Sequence, residues 1–151
     1  MKIKTLFLCL AFSAFFSAQG AEDKDPIEIQ MEAAIEQNGS TGGQVDAITE
    51  ANQKCETKLN AIYKSLKQKM QPDEFAVLQQ AQRAWITYRD KQLLSYESTY
   101  GKMDGSMWIP MHAYAVMNLT KKRVQELQTL LGLVEERWIS ETPFNHKFTS
   151  S

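Results

Sequence analysis

The strongest constraint in this chain is an apolar stripe in its first third. Val45, Ile48, Asn52, Cys55, Leu59, Ile62 and Leu66 follow one another in steps of three and four. That spacing matches the 3.6-residue turn of an α-helix and places all seven on one face. Lys54, Lys58, Lys64 and Lys67 fall on the opposite side, and neither Gly nor Pro interrupts residues 44–71. A stripe this narrow resembles a coiled-coil seam, so the helix should pack lengthwise against neighbours.

The neighbours are legible by the same rule. Gln71-Pro72-Asp73-Glu74 marks a break and a restart: proline is pre-organised for a first helical turn, and acids suit its positive end. The next helix runs to Tyr100 with Phe75, Leu78, Ala81, Trp85, Tyr88, Gln92 and Tyr96 on one face, and Gly101 stops it. Residues 101–107 form a loop, and Ser106 is a candidate N-cap for a further helix that tolerates Pro110 in its first turn. Met111, Tyr114, Met117, Val124, Leu127 and Leu131 give that helix a buried face, with Gly132 as its stop and Leu133 to Ile139 as a short extra helix. Upstream, Pro26 to Gln37 predicts a short helix, followed by a flexible link over Ser40-Thr41-Gly42-Gly43. No stretch alternates as a strand does. The expected fold is all-α: a small antiparallel bundle of three long helices plus a short N-terminal one.

The chain begins as exported chains do. Lys2 and Lys4 precede an apolar run from Leu6 to Phe16, too short to span a bilayer comfortably, and Ala18-Gln19-Gly20 supplies the small residues of a cleavage site. Residues 1–20 read as a signal peptide cut after Gly20. A lipoprotein signal ending at Cys9 is disfavoured, because Leu8 is bulky and the apolar run continues past the cysteine. Export implies a periplasmic or secreted protein. Residues 21–43 form an acidic N-terminal arm, with six acids against Lys24 alone; residues 44–132 form the helical domain, and residues 133–151 a tail. The domain and tail together carry fourteen bases and twelve acids, with no dense basic patch for nucleic acid.

Removing the signal leaves Cys55 as the one cysteine. One thiol makes no internal disulfide, and free cysteine is commonly a small buried residue. An intermolecular disulfide or a reactive thiol is the alternative. His112 and His146 lie far apart without neighbouring ligands, so neither a metal site nor a cofactor is expected. Gly-x-Ser-x-Gly, His-Glu-x-x-His, Cys-x-x-Cys and phosphate-loop patterns are all missing, which argues against an enzyme.

The most informative segment is Ala81-Gln82-Arg83-Ala84-Trp85-Ile86-Thr87-Tyr88-Arg89-Asp90. Arg83 and Asp90 stand two helical turns apart on one side, and Trp85 and Arg89 can stack cation on ring. The favoured reading is an inter-helix lock in which Arg89 and Asp90 find partners on other helices. The alternative is a recognition surface built from Trp85, Tyr88 and Arg89.

This run resembles the signature of the lysozyme inhibitor LprI-like family. Other pieces agree and come in the family's order. They are Leu59-Asn60-Ala61-Ile62-Tyr63, Gly105-Ser106 with Pro110-Met111, and Leu119-Thr120 with Arg123 and Glu126-Leu127. The family's usual cysteine pair is replaced by Leu93 and Ala115, and Cys55 does not fall on its N-terminal cysteine place near Ala47 or Ile48. The resemblance implies an envelope or secreted binding protein whose partner is a lysozyme-type muramidase. Such enzymes are cationic and carry two carboxylates in a cleft. The acidic arm and the loop at 101–108, with Asp104, Ser106 and Trp108, are the candidate contacts. Trp108 is either an exposed anchor or a cap folded onto the bundle end. The rival expectation is an envelope interaction module with another partner and no inhibitory role.

Overall fold

A computed structural model describes residues 24–141. The signal peptide, His146 and the end of the tail lie outside the described residues. The described chain forms helices α1 (Pro26–Gln37), α2 (Thr41–Lys69), α3 (Pro72–Tyr100) and α4 (Trp108–Glu141), with no strand among them.

Helix α2 is seated by the stripe that predicted it. Ile48, Cys55, Leu59, Ile62 and Leu66 are all buried, as are Ala47 and Ala51 beside them. The dense interface of the molecule joins α2 to α4, and α3 meets α4 more thinly. The two main helices run parallel. Ile48 and Ala51 near the start of α2 pack with Met117 near the start of α4, and Lys69 at the end of α2 pairs with Glu135. Helix α3 returns antiparallel to α4, so that Glu74 meets Arg137 at one end and Glu97 approaches His112 at the other. Leu66, Met117 and Leu127 are the most deeply buried large side chains.

Two boundaries differ from the sequence reading. Residues 41–43 are not a flexible link but the first turn of α2. Ser40 caps that turn, its Oγ accepting from the Gly43 amide at 3.1 Å. Asn38 Oδ1 accepts in turn from the Ser40 hydroxyl at 2.8 Å. Gly43 is needed here because a Cβ would collide with the Asn38 side chain and carbonyl. At the other end, α4 runs straight through Gly132 and takes in residues 133–141. Burying Val134 is worth roughly 1.5–3 kcal/mol, more than the ~1 kcal/mol a mid-helix glycine costs.

The short α1 lies antiparallel to α2 and covers the α2–α4 seam. Met31 is buried against Ala47, Ile48, Ala51 and Met117. Asp25 caps the helix by accepting from the Ile27 amide at 2.9 Å.

Candidate functional site

The end of the bundle where α3 passes into α4 is built from four aromatic rings and a tight loop. The Tyr100 ring stacks on His112 at 5.3 Å and 20°, and also meets Trp108 at 6.5 Å. Tyr96 adds an edge contact to Tyr100 at 6.2 Å. Glu97 Oε2 lies 3.9 Å from His112 Nε2, at the outer limit of an ion pair. This small stack fixes the stems of the loop. Trp108 is half-buried in it and so forms the base of the loop rather than its tip.

The loop itself turns on Gly105, whose φ of 102° is one that a residue with a Cβ rarely adopts. Amides of Lys102 and Met103 bond back to Thr99 and Tyr100, which keeps the first half tight against α3. Asp104 and Ser106 are exposed. The expected Ser106 cap takes a different form: its backbone carbonyl accepts from the Ile109 amide at 3.3 Å.

Around the loop lies a feature the sequence reading did not assign. Met103, Met107, Ile109, Met111 and Tyr114 are each at least 40% exposed. Met107, Met111 and Tyr114 line a groove of about 750 Å³ together with Tyr100, Ile35 of α1 and Ile48 of α2. Thr41, Gln44, Ser106 and Asn118 supply neutral polar groups at this groove. Exposed apolar residues gathered in one place mark binding surfaces more often than scattered ones do, and methionine adapts its shape to a partner. The signal lay in the sequence as three methionines within residues 103–111. Helical periodicity had assigned Met111 and Tyr114 to the core.

The 81–90 segment is a joint between helices, but its parts differ from those expected. Arg89 bonds to its own neighbour, Nη2 to Asp90 Oδ1 at 2.7 Å, and lies 5.4 Å from the Trp85 ring. Neither Arg89 nor Asp90 supplies the cross-helix bond. Arg123 of α4 does: its Nε donates to Gln82 Oε1 at 3.0 Å, and its guanidinium lies 5.8 Å from Trp85. Trp85 is therefore half-buried between two arginines rather than sunk in the core, and Tyr88 and Arg83 are exposed. In the other motif pieces, Leu59 is core, Tyr63 packs on Phe75 at 5.4 Å, and Asn60 is exposed. The segment and the loop do not converge on one site. Among the described residues no group of His, Cys, Asp and Glu is placed to hold a metal ion, and no helix is long and apolar enough to cross a membrane.

No curated protein matches this chain. A crystal structure of an uncharacterised protein from Burkholderia thailandensis shares the fold with a TM-score of 0.70 and 23% sequence identity. The alignment covers 74% of this chain and 56% of that one, so this chain spans little more than half the length of that protein. The sequence signature described as "Lysozyme inhibitor LprI" matches residues 33–127, more than half of the chain and all of the loop end. The chain therefore belongs to the LprI lysozyme-inhibitor family.

Proposed function

We propose that this protein is an exported binding protein that inhibits a lysozyme-type muramidase, and that it does so with the loop end of the bundle. The observation that carries the placement is the run of exposed Met103, Met107, Ile109 and Met111 in the same stretch of chain as the exposed Asp104. An apolar centre with a charged, wetted rim is the usual make-up of a protein interface. Asp104 draws in a cationic enzyme, and the methionines fill its cleft without bringing a charge against the two carboxylates there. Trp108 acts from behind, holding the loop stems through Tyr100. Ser106 lies at the mouth of the groove and offers a hydroxyl to the partner. The reading includes no catalytic step, and the partner is bound rather than turned over.

The test is a cell-wall lysis assay with a panel of muramidases and the purified mature protein. Met107→Ser and Asp104→Ala should each weaken inhibition without moving the melting temperature. The Asp104 effect should shrink as salt rises, because exposed charges are screened beyond about 10 Å at 0.1 M salt. Full inhibition by both variants would remove the loop from the interface. Failure of the parent against every muramidase would leave the loop end as a docking surface for another envelope protein.

A further inference from the structure

Helix α1 is only 12 residues long. Isolated helices of that length are marginal in water, so α1 persists because it is docked. Its dock joins a short apolar strip to a set of polar bridges. Met31 is buried at the α2–α4 seam, and Ile27, Ala34 and Ile35 pack beside it partly buried. The remaining hold comes from polar bridges that each leave α1 or its cap for another helix. Asp25 pairs with Lys58 of α2 at 2.8 Å, Glu28 with Lys121 of α4 at 2.6 Å, and Gln30 with Lys54 of α2 at 2.9 Å. Most of the main core lies elsewhere. Leu59, Ile62, Leu66, Leu78, Val124 and Leu127 belong to α2, α3 and α4, Cys55 stands at the edge of the sequence run that forms this cluster, and Ile27 alone reaches it from α1.

Cys55 stands one helical turn before Lys58, in the cluster against which Ile27 of this helix packs. The residue is 4% exposed. Burial pushes its thiol above the ordinary range, and Asp25, Lys58, Lys121 and Glu28, the charges of the dock, are those acting on it. The thiol therefore sits beside the residues that hold α1 in place.

We propose that α1 is an electrostatic latch that opens as a unit while α2, α3 and α4 stay packed, and that its opening bares Cys55 and the apolar seam of Ala47, Ile48, Ala51 and Met117. Such partial opening is common in a short terminal segment with few fully buried side chains. Because the latch is held by acids on α1 and lysines on its dock, removing one charge loosens it without cutting into the core.

Thiol labelling tests this directly. The full chain is exposed to N-ethylmaleimide under native conditions, and modification of Cys55 is read on its own peptide by mass spectrometry. Glu28→Gln and Lys58→Met should each speed labelling by about threefold or more, the scale on which partly buried ion pairs contribute. Glu74→Gln, which removes the pair with Arg137 at the far end of the bundle, should leave the rate unchanged. In urea the labelling rate should rise with a shallower slope than the loss of helix by circular dichroism, since less surface is exposed in the opening. Two results would overturn the proposal: a urea slope equal to that of global unfolding, or a Glu74→Gln acceleration matching that of Glu28→Gln. If Lys58→Met does not fold, Glu28→Gln and the urea slope decide the matter.

Discussion

Asp25 uses one carboxylate for two tasks, capping α1 and pairing with Lys58. Burial by itself would raise its pKa. The hydrogen bonds from Lys58 and the Ile27 amide, with the nearby charges of Lys58 and Lys121, outweigh burial and hold it below the ordinary carboxylate value. A depressed folded pKa means a stabilisation that is complete above the unfolded value of about 3.9 and is lost as pH falls through the folded one. Asp25→Asn keeps a good cap but drops the charge, so it should cost about 1 kcal/mol at pH 7. Urea denaturation at stepped pH should show that gap closing as the solution is acidified below pH 4. Arg123 makes a sharper case, because its loss strands a buried Gln82 carbonyl. Arg123→Met should cost roughly 2–3 kcal/mol, and Arg123→Lys should recover little of it, lacking the planar fork. Trp85→Ala, at a half-buried ring, should cost about 2 kcal/mol, short of the roughly 3–5 kcal/mol expected for full burial. Thermal melts of the three variants give the ranking.

At the scale of elements, glycines separate two kinds of helix boundary. Nothing lies within 4 Å of a Cβ built on Gly132, and the helix there is regular. Gly132→Ala should therefore stabilise the protein by about 1 kcal/mol, and Gly43→Ala should destabilise it by collision with Asn38. Calorimetric melting points moving in opposite directions would bear this out. The same pair explains what the chain made legible. Long-range periodicity over residues 44–131 revealed the three long helices, because each buries a stripe whose spacing is set by the helix itself. It misjudged 40–43 and 132 because a glycine's effect depends on what surrounds it in space, and Ser40 and Val134 supplied a cap and a buried anchor. Periodicity also over-assigned the α3 face. Helix α3 meets α4 along a thin line, so Leu78 and Gln82 are buried while Tyr88, on the predicted face, stays exposed. The loop at 101–107 was recognisable as a loop from its glycines, but its methionine surround was not, since exposure is a property of the assembled bundle end.

For the whole molecule, export is the proposal on which the proposed inhibitory role depends. Mass spectrometry of the protein from a fractionated host should find a chain beginning at Ala21, and an intact Met1 on cytosolic material would contradict it. The arrangement of the bundle has a bearing on how such a chain would emerge. Its dense interface joins α2 and α4, which are separated in the chain by the whole of α3. A chain appearing N-terminus first can close the α1–α2 hairpin early, but Leu66 waits for partners such as Leu127 that have yet to arrive. The burial of Leu66 and its neighbours thus waits until the final helix is present. If the chain is exported, it would up to that moment lack its main core and pass more readily through a narrow pore. A version ending at residue 107 should stay that way permanently, soluble only as long as something else keeps its apolar stripe from finding another of its kind.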